Sequence, residues 1–167
     1  MKRKNIRLKV YDYSQNGAYF VTVCTKERRN ILSTVRVGGG ILDAPYVELT
    51  EFGEIVEHQF EIMNGLYDFI NVKHYIIMPN HIHFIIEVVE KTGTSGRPSP
   101  TRSNSIVSNY VGTFKRFTNR KSGTELWQRS FYDHIIRNDA DYLEKANYIL
   151  TNPHKWYDDE YYTKDEV

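Results

Sequence analysis

The sequence predicts an α+β domain built as a split β-α-β sandwich. One antiparallel sheet is covered by helices on one face, and a further helix is added at the C-terminal end. Three observations predict it. Short apolar, β-branched runs alternate with segments of helical spacing. The order of those segments is β-α-β-β-α-β-α. Turn and cap residues stand at their boundaries.

The elements follow in order. Ala18 to Cys24 is apolar and β-branched and reads as a buried strand. Residues 33–48 contain Gly38-Gly39-Gly40 and Asp43-Ala44-Pro45, which signal a turn or hairpin. No role follows from the sequence for this insertion. Thr50 caps a helix with apolar positions Phe52, Ile55, Val56, Phe60 and Met63, ended by Asn64-Gly65. Phe69 to Met78 is a strand, Pro79-Asn80 breaks it, and His81 to Val89 is the next. Residues 91–104 are rich in Gly, Ser and Pro and read as a mobile loop. A helix from about Ser105 to Asn119 puts Ile106, Val107, Tyr110, Val111, Phe114 and Phe117 on one side. Phe131 to Arg137 is a short strand. Asn138 or Asp139 then caps a helix that runs to Thr151 and is stopped by Pro153.

The 167 residues suit one domain, and 40% hydrophobic with 26% charged residues is ordinary for a globular protein. The one cysteine, Cys24, has no disulfide partner in the chain and reads as a buried, reduced thiol, which fits a cytoplasmic protein. No apolar stretch reaches membrane-spanning length. The net charge is only +1, but its distribution is uneven. A basic arm occupies residues 1–9. Arg102, Lys115, Arg116, Arg120, Lys121 and Arg129 stand against the single acid Glu125 in residues 101–130, and an acidic tail covers 157–167. Two basic regions form either a phosphate-binding face or ordinary solvated surface.

Chemistry concentrates in three segments. In Met78-Pro79-Asn80-His81-Ile82-His83, the histidines are two apart and share one strand face, so both imidazoles can reach one metal ion. The bland alternative is a pair of polar-face histidines without a ligand. Tyr148 and Asn152 lie four apart, on one helix face, where a phenol and a carboxamide can address the same ion. Alternatively Tyr148 is a core residue and Asn152 a helix stop. The third segment, Leu126 to Asn138, reads as an aromatic-rich strand entering a capped helix. His134 within it reads as a packing and hydrogen-bonding residue, and Tyr110 as core.

Taken together and in this order, Met-Pro-Asn-His81-Ile-His83, Trp127-Gln-x-x-Phe131-Tyr-Asp-His134-x-Ile-Arg-Asn138 and Tyr148-Ile-x-x-Asn152-Pro153 resemble the IS200-like single-tyrosine transposases, especially the REP-associated tyrosine transposases. The resemblance spans about Ala18 to Trp156. It implies a ferredoxin-like fold and a transposase or nickase that cleaves and rejoins single-stranded or hairpin DNA through a covalent phosphotyrosine. It makes Tyr148 the nucleophile and His81, His83 and Asn152 ligands of a divalent metal, Mg²⁺ or Mn²⁺. Lys115, Arg116, Arg120, Lys121 and Arg129 are the candidate DNA contacts. The IS200 group implies a homodimer, and REP-associated members a monomer. Two rivals keep the same residues: a protein of this fold that binds DNA hairpins without cutting, and a metallohydrolase that uses water as nucleophile.

Overall fold

Alternation along the strands decides the architecture, because the strands of the main sheet carry apolar residues on both of their faces. In the computed structural model, which describes residues 17–37, 44–89 and 106–163, strand β1 (Gly17–Cys24) sends Tyr19, Val21 and Val23 to one side of the sheet and Phe20 and Thr22 to the other. The basic arm 1–9, the loop 91–104, residues 38–43 of the insertion and the end of the acidic tail, 164–167, lie outside the described residues.

After β1 come the hairpin strands β2 (Ser33–Arg36) and β3 (Tyr46–Leu49), helix α1 (Glu51–Leu66), strands β4 (Ile70–Ile77) and β5 (His81–Val88), helix α2 (Ile106–Ser122), strand β6 (Tyr132–Ile136) and helix α3 (Asp139–Thr151). The main sheet has the order β4-β5-β1-β6 with every pair antiparallel. That is the ferredoxin-like arrangement: each helix carries the chain across the sheet, and the first and third core strands meet in the middle. The insertion is a small separate sheet of β2 and β3.

Helices α1 and α2 cover one face. Val56, Phe60 and Met63 from α1 and Val107, Tyr110, Val111 and Phe114 from α2 pack with Tyr19, Val21, Ile82, Phe84 and Ile86 in one buried cluster. At roughly 1.5–3 kcal/mol for each buried large apolar side chain, this layer dominates the fold's stability. Helix α3 lies on the opposite face, where Ala146 and Ile149 meet Phe20 and Ile85. Thr50 caps α1 as expected: its Oγ1 accepts from Gly53 N at 3.2 Å. Asn138 caps α3 through Asp141 N at 2.9 Å.

Several sequence expectations need correction. Phe117 does not share the buried face of α2 but is 42% exposed, because Thr118, not Phe117, continues the inward stripe and accepts the Trp127 indole N–H at 2.7 Å. Asn64 does not end α1, which runs on to Leu66; its carboxamide instead brackets Val72, accepting from N at 2.9 Å and donating to O at 3.0 Å. Pro153 ends the α-helix, yet the chain keeps turning as a 3₁₀ helix over Asn152–Asp158. Cys24 is only partly buried.

Candidate active site

The α3 face of the sheet holds the histidines. His81 and His83 alternate with the core residues Ile82 and Phe84, so both rings turn toward α3, with centroids 4.5 Å apart. Both side chains are essentially fully buried.

Their neighbours fix which nitrogen faces the site. The Asn80 amide nitrogen donates to Tyr161 O at 2.8 Å and to Thr163 Oγ1 at 3.1 Å, which directs its Oδ1 to His81 Nδ1 at 2.8 Å. A carboxamide oxygen only accepts, so His81 carries its proton on Nδ1 and leaves Nε2 bare. Thr22 Oγ1 lies 2.8 Å from His83 Nδ1 and holds that ring in place, a contact in which the hydroxyl serves as donor or acceptor. The two Nε2 atoms are buried and have no hydrogen-bond partner among the described residues. Burial pushes both imidazoles toward the neutral form: His83 is lowered to about 3, and His81 falls well below the ordinary value, by burial first and then by the charge of His83 and Arg28. Buried, neutral imidazoles with unpartnered Nε2 atoms and hydrogen-bonded Nδ1 atoms suit a metal ion.

Helix α3 brings the other groups from the same chain. Tyr148 is half-buried, its ring edge-on to His83 at 5.2 Å and to Phe20 at 5.9 Å. One turn later Asn152 is buried, and its Oδ1 lacks a partner among the described residues. The sequence reading missed Asp159. It lies in the acidic tail, yet ligand atoms of His81, His83 and Asp159 lie within 4.8 Å of one another. The Asp159 carboxylate also accepts from Tyr148 Oη at 3.5 Å and from Asn152 Nδ2 at 3.3 Å. Burial, followed by the Asp159 charge, pushes the Tyr148 phenol up to about 12.

Asp159 is placed by what surrounds it. Trp156 is buried just before it, and Tyr161 lays its ring 4.7 Å from His81. Asn30 Nδ2 donates to Thr163 O at 3.0 Å, and the Arg28 guanidinium donates to Glu160 O at 3.2 Å. Arg28 and Glu27 both adopt positive φ, near 55° and 60°. Neither is glycine, so the loop holds a strained turn beside the site.

The donor set of two imidazole nitrogens, one carboxylate and one carboxamide oxygen fits a divalent cation. The oxygens suit Mg²⁺ or Mn²⁺, and the imidazoles favour Mn²⁺ of the two.

The other candidates lie elsewhere. Arg116, Arg120 and Lys121 are exposed on α2, on the layer across the sheet from the histidines, and the last two line a groove of about 560 Å³ against α1. The Lys115 ammonium donates to Gln128 O at 2.8 Å and Ser130 O at 2.9 Å, tying down the segment before β6. Arg129 is exposed in that segment. Tyr110 is core, as expected. His134 does make the expected hydrogen bond, to Asp141 at 2.9 Å, but it also lines the cleft of about 480 Å³ that opens beside Tyr148 and His83.

No family model matches the chain. An uncharacterised protein of Haemophilus influenzae is 31% identical over 174 residues, covering 96% of this chain and 93% of the relative. The REP-associated tyrosine transposase of Escherichia coli is 25% identical over 146 residues, covering 86% of this chain and 72% of the relative. The chain belongs to the IS200-like, REP-associated tyrosine transposase family. The fold agrees: a REP-associated tyrosine transposase solved with a REP hairpin superposes with a TM-score of 0.60 at 21% identity, over 89% of this chain and 73% of that one. The family's His-x-His pair is His81 and His83.

Proposed function

We propose that this transposase-family protein binds single-stranded or hairpin DNA and cleaves and rejoins it through a phosphotyrosine on Tyr148. The observation that supports this most is the meeting, within one chain, of a half-buried phenol with two unpartnered, buried imidazole nitrogens and a carboxylate. His81, His83 and Asp159, with Asn152, would hold a divalent ion, Mg²⁺ or Mn²⁺. When bound, that ion neutralises phosphate charge and stabilises the charge that develops as the ester breaks.

The remaining chemistry belongs to the chain. Tyr148 Oη forms a bond to phosphorus while one P–O ester bond breaks; the phenol loses its proton and the departing oxygen gains one. The linkage keeps the energy of the ester, so the reverse attack by a DNA hydroxyl rejoins a strand without a nucleotide cofactor. A phenol pushed up to about 12 is a poor nucleophile at neutral pH, so it must shed its proton during attack. The Asp159 carboxylate, which accepts from Tyr148 Oη at 3.5 Å, is the candidate acceptor. Phe20 and His83 hold the ring edge-on and fix where the oxygen points. Arg116, Arg120, Lys121 and Arg129, with Lys115 where its backbone contacts allow, are proposed as contacts for DNA outside the cleft, since α2 covers the other face of the sheet.

The test is a covalent adduct. Protein incubated with a labelled library of hairpin oligonucleotides and Mn²⁺ or Mg²⁺ should give a denaturation-resistant protein–DNA band. Tyr148→Phe keeps the ring and its packing and should abolish that band. A band that survives in Tyr148→Phe removes the nucleophile assignment. Binding without any band in the parent protein leaves the hairpin-binding rival.

A further inference from the structure

The cleft does not end at Tyr148. On the α3 face, His83 of β5 stands opposite Thr22 of β1, and Thr22 stands opposite Tyr132 of β6. One rung along, Phe20 is flanked by Ile85 and His134. Neighbouring strands are about 4.8 Å apart, so Tyr132 and His134 stand on the order of 10 Å from His83. That is too far to touch a phosphate under attack at Tyr148, yet they line the same cleft.

Three side chains there have chemistry that the cleavage reading does not use. Tyr132 is 41% exposed, an aromatic ring left open on a sheet face. The His134 ring is clamped: its Nε2 donates to both Asp141 oxygens, at 2.9 and 3.0 Å, and Asp141 in turn accepts from Arg137 N at 3.2 Å. That leaves Nδ1 as its second polar atom. Lys145 is one turn before Tyr148 on α3, lines the cleft, and pairs at 2.7 Å with Glu144, which is itself largely exposed. An ion pair of that kind contributes little and yields readily to a phosphate. Glu160 also lines the cleft, so an anion there must lie on the Lys145 side.

We propose that this end of the cleft is the subsite for the nucleotide next to the one cleaved. The Tyr132 ring stacks its base, and Lys145, with His134 beside it, holds its phosphate. The combination of one exposed ring and one cation is how proteins grip single strands without reading sequence. The proposal rests on the reading that the cleft receives single-stranded DNA.

The experiment measures binding of a short single-stranded oligothymidylate to the full-length protein across a salt series. Lys145→Gln should weaken binding and lower the slope of log affinity against log salt by about 0.7, the value for one phosphate contact on a single strand. Tyr132→Ala should weaken binding about tenfold with the slope unchanged, and Tyr132→Phe should restore it. An oligonucleotide carrying 5-iodouracil should photo-crosslink to Tyr132. His134→Gln should weaken binding in the same series. An unchanged slope in Lys145→Gln, or cross-links that map away from β6, overturns the proposal. The adduct assay separates the two readings: an adduct at Tyr148 with unchanged slopes sinks the subsite alone. The expected slopes and cross-link without an adduct sink cleavage alone.

Discussion

The metal-free histidine pair should make the protein acid-labile by an amount that can be worked from the site. His83 has an ordinary value of 6.5 and is lowered to about 3 in the fold by burial. Between those values the unfolded chain takes up a proton that the folded chain refuses. Stability is therefore complete above pH 6.5 and falls as pH drops through the window toward 3. The slope is about 1.4 kcal/mol per pH unit, so moving from pH 7 to pH 5 removes about 2 kcal/mol through His83 alone. His81 is shifted in the same direction, and for the same leading cause. Domain stabilities are about 5–15 kcal/mol, so the loss is easily measured. The assay is urea denaturation at pH 7 and pH 5 in the presence of a chelator. His83→Gln keeps a hydrogen-bonding side chain beside Thr22 but removes the titration, and should flatten the response by about 2 kcal/mol. Added Mn²⁺ should recover stability at pH 7 more than at pH 5, since proton and metal compete for the same nitrogens. The reasoning is refuted if His83→Gln loses as much between pH 7 and 5 as the parent.

Three further outcomes follow from the same geometry. Asp159→Asn removes a carboxylate from the donor set and should weaken Mn²⁺ binding at least about tenfold by titration calorimetry; unchanged affinity there with a loss in Asn152→Ala would return the ligand role to Asn152 alone. Gly53→Ala should lower the melting temperature, corresponding to about 1–3 kcal/mol, because a Cβ there runs into the carbonyl oxygen of Leu32; a variant as stable as the parent would show that the β2 approach is loose. Tyr110→Phe removes a buried hydroxyl that lacks a partner among the described residues, so it should be neutral or slightly stabilising in denaturation and leave the adduct in place.

How much could be read beforehand depended on whether a residue's position follows from local periodicity. The period-2 alternation of His81-Ile82-His83-Phe84 fixed a shared face, and the strand forms as expected. The four-residue spacing of Tyr148 and Asn152 held for the same reason on α3. Phe117 failed because a stripe of apolar residues cannot reveal that Thr118, satisfied by Phe114 O at 2.9 Å, takes the inward place. Asp159 had no periodic signal. It sits in the acid run Asp158-Asp159-Glu160 beyond a proline, where neither a helical nor a strand period applies. Only tertiary contacts select it, through buried Trp156 and the anchoring of Tyr161 and Thr163. A buried tryptophan followed by clustered tyrosines in an otherwise acidic tail was the available hint that this tail folds back.

Asn80 shows why the Asn-His-x-His stretch works as a unit. By local pattern Pro79-Asn80 reads as a strand break, within the stretch that carries the family resemblance. In the fold its backbone carbonyl accepts Thr25 N at 2.8 Å and Thr25 Oγ1 at 3.0 Å, which locks the end of β1 to the start of β5. Its amide nitrogen ties down Tyr161 and Thr163, and so brings Asp159 to the histidines. Its amide oxygen sets the His81 tautomer. One carboxamide therefore couples strand geometry, the position of Asp159 and the tautomer of His81. Replacing Asn80 by an acid would keep the acceptor but delete both donations to the tail, whereas replacing it by alanine deletes all the side-chain links. The geometry of the proposed metal site thus depends on a residue outside the His81, His83 and Asp159 donor set, the division of labour expected between ligands and the groups behind them.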